Sequence, residues 1–240
     1  MVNSIRKGKQ MKTCLLLWVV FAAFVPDVRA GAVDKDKFYE RCKPAFPKHV
    51  FSGKSREGFE HIFGYWEKTE HTDPRWLAYI LGTAYRETAG MMQPVREGLC
   101  KSDACSIRAV TQLVNKRNVE RNIKKKKLMA NYALPDEHGR SYFGRGYVQL
   151  SLKENYQTMS KTMGWKDELV GNPGLVLDPE RSVAILVEGM TRGLFTKRAL
   201  KDDFNEHRED WITARKIVNP YSSRAEITAA HGKAFYACLQ

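Results

Sequence analysis

No stretch of the 240-residue chain reaches the roughly 18–20 apolar residues needed to span a bilayer, which argues against stable membrane insertion. The six histidines form no His-Glu-x-x-His and no other ligand-like spacing, so neither a catalytic metal nor any cofactor is expected. There is no Gly-x-Ser-x-Gly nucleophile turn. Gly144-Arg145-Gly146 is no dinucleotide loop, because Gln149 stands where the third glycine belongs and no βαβ unit surrounds it. Basic residues are not interleaved with aromatics as an RNA-binding sheet requires, so nucleic acid is not an expected partner. Internal repeats and Pro- or Ser-rich linkers are missing too, which leaves one domain. Acidic residues are in deficit: 27 against 40 Lys and Arg, a formal charge of +13. Such a surface attracts polyanions, and charge alone does not choose among them.

The first thirty residues read as an address. Arg6, Lys7, Lys9 and Lys12 precede an apolar stretch from Cys14 to Val25, and Val28-Arg29-Ala30 follows. These are the parts of a secretory signal, the alternative being a buried first helix. Cleavage is predicted after Ala30, giving a secreted or periplasmic mature domain over 31–240. The cut removes five basic residues and Asp27, which brings +13 down to +9. Cys42, Cys100, Cys105 and Cys238 remain, an even number that allows three pairings, unless all four stay as thiols. Joining Cys100 to Cys105 would close a tight loop. Joining Cys42 to Cys238 would tie the ends of the domain together, worth about 4–5 kcal/mol by loop-closure entropy.

Helical signals dominate. Phe59, Ile62, Phe63 and Trp66 form one apolar face, and Asp73-Pro74 starts a helix whose Leu77, Ile80, Leu81 and Ala84 carry it to Glu87. Asp178-Pro179 opens another through Val183, Leu186, Val187 and Met190, and two more are expected at 208–218 and 223–237. Tyr147-Val148-Gln149-Leu150 is the one good short-strand candidate. The Lys124–Lys127 tract reads as a solvated face or loop. A mainly α domain with a minor β element is the expectation.

Two carboxylates could carry chemistry. Glu87 ends an apolar helix, a setting that favours a neutral carboxyl and suits a general acid. Glu97 lies in a loop bounded by Pro94 and Gly98, where a carboxylate stays solvated and suits a general base. Glycoside hydrolysis uses such a pair. By spacing alone, a surface pairing of Glu87 with Arg86 or Lys68 is the plainer reading.

The wider pattern says more. Tyr142-Phe143-Gly144-Arg145-Gly146-Tyr147-Val148-Gln149-Leu150-Ser151, with Glu154-Asn155-Tyr156, resembles the signature of family 19 glycoside hydrolases, which include plant-type chitinases and bacterial and phage endolysins. Ala84-Tyr85-Arg86-Glu87-Thr88-Ala89-Gly90 is similar to the family's catalytic-acid motif, and the short step to Arg96-Glu97-Gly98 resembles the endolysin branch. Gly193-Leu194-Phe195-Thr196 and Asp210 to Asn219 resemble its C-terminal half. The resemblance covers about 75–238. It implies a two-lobed, lysozyme-like fold with a central sugar cleft, and inverting hydrolysis of β-1,4 links beside N-acetylated hexosamines. By the same resemblance Glu87 is the acid, Glu97 the base and Ser151 the hydroxyl that holds the attacking water. Thr88, Tyr147, Gln149, Asn155, Tyr156, Arg215 and Asn219 match sugar-binding positions, with support of the lobe interface as the alternative for Tyr156 and Arg215. Two departures stand out. Pro220 replaces a common glycine and removes an N–H, and Arg86 replaces a common histidine. Adjacent helical side chains lie about 100° apart, so Arg86 is expected to face away from the cleft.

The expected partner is a polysaccharide, and the chain is expected to act as a monomer. Peptidoglycan is the first choice, since chitin is neutral and gives the basic surface no obvious purpose. Chitin is the second. A non-catalytic wall-binding or antimicrobial protein is the third, and it would not need Glu87 and Glu97 at matching motif positions.

Overall fold

The computed structural model describes residues 31–221 and 224–240. The segment read as a secretory signal lies outside these residues. Among the described residues eight α-helices follow in chain order: α1 Lys35–Cys42, α2 Gly53–Trp66, α3 Pro74–Glu87, α4 Asp103–Ile123, α5 Lys153–Thr162, α6 Glu168–Gly171, α7 Pro179–Thr191 and α8 Ala225–Leu239. A two-stranded antiparallel sheet joins β1 Val95–Arg96 to β2 Arg145–Gly146, with Val95 opposite Gly146 and Arg96 opposite Arg145. No helix among the described residues is long and apolar enough to cross a membrane.

Helix α3 is the axis of the larger lobe. Asp73 caps it by accepting from Arg75 N–H at 2.9 Å, and Pro74 occupies the first turn. From Leu77 to Ala84 every residue is buried, so the helix is enclosed on all sides. It lies against α8 so closely that a Cβ at Gly82 would fall 2.6 Å from the Gly232 nitrogen. Only glycine permits that approach. Phe38, Phe46, Phe59, Phe63 and Phe235 fill the space between α1, α2 and α8. The Cys42–Cys238 disulfide fastens α1 to the end of α8 with Cα atoms 5.3 Å apart, and Cys100–Cys105 clips the start of α4.

The smaller lobe has its own apolar cluster: Val110 and Val114 of α4 against Ala133 and Phe143. Only three residues of the 21-residue α4 are buried, which is why its pattern gave no helical signal. The Lys124–Lys127 tract follows α4 and is exposed.

Two expectations need correction. The strand is Arg145–Gly146, not Tyr147–Leu150. Gly146 at φ +85° and Gln149 at φ +54° fold the latter into a tight loop, closed by reciprocal backbone bonds between Arg145 and Leu150 of 3.1 and 2.9 Å. The helix expected at 208–218 shrinks to a single 3-10 turn, Thr213–Ile217. Phe204 and Glu209 form a bridge just before it, and Trp211 is drawn into the core beside Tyr79 and Phe204. Helices α1, α4 and α5 carried no clear sequence signal.

Candidate active site

The site is assembled where the two lobes meet. Glu87 is the last residue of α3, and its carboxyl is 17% exposed. Its partner is neither Arg86 nor Lys68 but Arg215, whose Nη2 donates to Glu87 Oε1 at 2.7 Å. Arg215 comes from the 3-10 turn Thr213–Ile217 and is nearly buried, with Nε and Nη1 lacking a partner among the described residues. No bond joins Arg86 to Glu87. Its charge falls instead on His231 of α8 and helps to lower that imidazole's pKa after burial, the larger cause.

Glu97 follows β1 directly, and the sheet sets its place. Its backbone N–H donates to Gly144 O at 2.7 Å, while Gly144 N–H donates to Glu97 Oε2 at 2.7 Å. The other oxygen, Oε1, accepts from the Tyr132 hydroxyl at 2.6 Å. Burial and then this bond to Glu97 raise the pKa of the Tyr132 phenol, so it stays a proton donor. The solvated loop carboxylate expected from the sequence is therefore a partly buried one, held in plane by two donors. Each oxygen keeps a second lone pair.

Gly144 is the hub of this half. A Cβ there would meet Gln149 Oε1 at 2.8 Å, Glu97 Oε2 at 3.1 Å and Ser151 Oγ at 3.2 Å, so these three groups converge on the space above one glycine. Ser151 Oγ donates to Gln149 O at 2.9 Å, and Gln149 Nε2 donates to Val95 O and Gly146 O at 3.1 Å each. Asn155 is exposed on α5, and its amide donates to Ser151 O at 2.8 Å. Gln149, Ser151 and Asn155 line one cavity of about 190 Å³ with Leu194, Phe195 and Val218. Val218 lies between Arg215 and Asn219, so this cavity connects the base half to the segment that holds Glu87. Asn219 is exposed, and its side chain accepts from Tyr221 N–H.

Three expected sugar contacts sit below the surface. Tyr156 is fully buried, donating to Phe143 O at 2.8 Å and accepting from Arg145 at 3.1 Å. Tyr147 is fully buried behind the 145–150 loop, which Ser182 of α7 anchors by accepting from Tyr147 N–H at 3.0 Å. Thr88 is buried as well, donating to Ala84 O at 2.7 Å and accepting from Met92 N–H at 3.0 Å. Their motif positions match, but these side chains shape the turns that present Glu87 and Gln149 and offer no face to a sugar.

Sequence reasoning missed Tyr132, Asp103 and the structural part of Arg145. Arg145 is 1% exposed; it donates to Asp103 at 2.8 Å and to Ser141 O at 2.8 Å, and it covers the Phe143 ring at 3.6 Å. Asp103 also takes Arg96 Nε at 2.7 Å. Burial pushes its carboxyl up, but the hydrogen bonds and charges of the two arginines outweigh burial and hold it below its usual value. The two arginines of β1 and β2 thus share one carboxylate at the base of the sheet. A signal existed for Arg145, in the twin glycines that let its backbone lie in the lobe. None existed for Tyr132, which reaches Glu97 from 35 residues away.

Glu87 ends a helix, and Glu97 follows a strand beside a convergent hydroxyl and amide, residue types that glycoside hydrolysis uses. A family model described as chitinase class I, of glycoside hydrolase family 19, matches residues 63–186, and the chain belongs to that family. The match spans Glu87, Glu97 and Ser151 but not Arg215 or Asn219. The protein is therefore a mainly α, lysozyme-like glycoside hydrolase acting on chitin-like polysaccharide. Among solved structures, chitinase C from Streptomyces griseus HUT6037 is 15% identical over 87% of this chain and 76% of that one, with a TM-score of 0.43. A bacterial family 19 chitinase is 15% identical over 82% of this chain and 95% of that one, with a TM-score of 0.33. Neither likeness adds to the assignment. No curated protein matches the chain.

Proposed function

We propose that the protein is an exported hydrolase that cleaves β-1,4 links of peptidoglycan with inversion at the anomeric carbon. Glu87 gives its proton to the leaving oxygen, and Glu97 takes one from the attacking water. The observation that carries the mechanism is the convergence of Glu97 Oε2, Ser151 Oγ and Gln149 Oε1 above Gly144. A water seated there would give one proton to Glu97 while Ser151 fixes its orientation. Arg215 holds one oxygen of Glu87 and leaves Oε2 without a partner among the described residues, free to face the glycosidic oxygen. Inversion needs the carboxyls roughly 6.5–9.5 Å apart to leave room for the water. Glu87 stands on α3 in the larger lobe, and Glu97 follows β1 beside the smaller cluster. Gln149, Asn155, Arg215 and Asn219 would hold the sugars.

The basic surface favours peptidoglycan, because its peptide branches carry carboxylates and chitin carries none. Clearing of wall sacculi and cleavage of chitin oligosaccharides, each with Glu87→Gln as control, test the substrate. Sacculi should clear with wild type alone, and fresh product should carry the α-anomer by NMR. A β-anomer or a 1,6-anhydro sugar would refute the two-carboxylate inverting assignment. Cleavage of chitin oligosaccharides alone would move the enzyme to chitin.

A further inference from the structure

The segment that links the two carboxylates borders a cavity of about 490 Å³ outside the catalytic half-sites. Lys54 and Ser55 from the first turn of α2, Met91 and Arg96 from the link, and Leu99 and Lys101 from the turn after Glu97 contribute to its lining. Ser55 Oγ donates to Met91 O at 2.9 Å, and the Gln93 amide donates to Lys54 O, so α2 and the link form one rigid trough. Arg96 is committed to Asp103 at 2.7 Å. No such commitment occupies Lys54 or Lys101: both side chains are exposed, and neither ammonium meets a carboxylate among the described residues.

Two apolar side chains complete the trough. Met91 is 47% exposed and Leu99 48% exposed. Leu99 is also held at φ +55°, a left-handed conformation that a leucine adopts only when its surroundings impose it. The backbone is thus bent to present an aliphatic group to solvent two residues after the candidate base. A cavity that offers two unpaired ammoniums and two aliphatic faces suits a short anionic peptide with small apolar side chains. A bare sugar polymer has no carboxylate to place there.

We infer that this trough takes the peptide stem that branches from peptidoglycan, its carboxylates between Lys54 and Lys101 and its methyl groups against Met91 and Leu99. The inference deepens the peptidoglycan reading above and rests on it. A strand running past Glu97 would carry its branch into the trough, so binding the branch would set the register of the sugars.

The test compares intact sacculi with sacculi from which an amidase has removed the stems, leaving only the lactyl carboxylate. Lys54→Glu/Lys101→Glu should raise KM for intact sacculi about tenfold, with kcat kept. On stripped strands the variant should match wild type. Lys124→Glu/Lys126→Glu changes the net charge equally on a remote exposed loop and should raise neither KM. The trough is overturned if the first variant matches wild type on intact sacculi, or if the second shows the same rise. A wild type that cleaves chitin oligosaccharides but neither form of peptidoglycan overturns the substrate reading and the trough with it.

Discussion

Glu87 and Glu97 are close in the chain and are held in opposite ways. Glu87 rides on a helix enclosed by the larger apolar cluster, and its carboxyl has a single partner among the described residues, Arg215. Glu97 sits above a cluster of four buried apolar residues, and hydrogen bonds from Gly144 and Tyr132 grip both its oxygens. Packing positions Glu87. Directional polar bonds position Glu97. The difference suits the proposed roles, since an acid must release its proton to substrate while a base must aim a fixed lone pair at a water.

The largest test removes each carboxylate in turn. Glu87→Gln and Glu97→Gln should each cost on the order of 10³-fold in turnover, the scale of general acid–base catalysis. Azide should restore part of the turnover in Glu97→Gln by replacing the activated water. The same anion should do nothing for Glu87→Gln with a poor leaving group. Rescue of Glu87→Gln instead would exchange the two roles.

A pair of glycine substitutions separates packing from aim. A Cβ at Gly82 would press on the α8 backbone at 2.6 Å, so Gly82→Ala should lower the stability read by urea unfolding by about 2–3 kcal/mol. A Cβ at Gly144 would press on the Gln149, Glu97 and Ser151 side chains, which can yield. Gly144→Ala should therefore unfold within about 1 kcal/mol of wild type yet lose on the order of 10²-fold in kcat, since a small misplacement of reacting groups is costly. Equal stability losses in both would erase the contrast.

The same contrast explains what the sequence disclosed. Helix α3 was legible from Asp73-Pro74 and its apolar stripe, because local capping and periodicity point the same way as the packing. Helix α7 was legible for the same reason. Glu97 was legible as a loop carboxylate and a motif match but its partly buried setting was not, since its geometry depends on pairing with a strand almost fifty residues on. Tyr147 and Tyr156 show the cost of reading a motif as a list of contacts. Both are wholly buried, and their motif positions serve the turn instead of the ligand. The 208–218 segment has Trp211, Ala214 and Ile217 at a helix-like spacing, whereas Ala214 and Ile217 reach the core from a single 3-10 turn and Trp211 from the loop before it.

Tyr132 sharpens the comparison at smaller scale. A hydrogen bond to a charged group contributes about 1.5–3 kcal/mol, and part of it survives as solvent takes the place of the hydroxyl. Tyr132→Phe should lower kcat about tenfold with KM unchanged, because the aim of Glu97 is disturbed and no sugar contact is lost. The equivalent loss on the other carboxylate, Arg215→Lys, keeps a charge but not the fork. A rise in KM without a fall in kcat for Tyr132→Phe would make that tyrosine a substrate contact.

The smallest effect lies on the packed side. His231 of α8 is half-buried with its ring 4.7 Å from that of Tyr85, edge to face, on the helix that supports Glu87. Burial first, and the Arg86 charge second, lower its pKa from the ordinary 6.5. The folded protein therefore resists a proton that the unfolded chain accepts. Below the unfolded value the unfolded state binds more protons, so stability falls as pH drops from about 6.5 toward the lowered folded value, and it is complete above that window. The ring is partly open to solvent, so the effect should stay under about 1 kcal/mol. Between pH 7 and pH 5 the Tm of wild type should fall more than that of His231→Gln, which has no proton to take up. Parallel Tm curves would mean that the α3–α8 contact is insensitive to this proton and that the acid-side helix is held by packing alone.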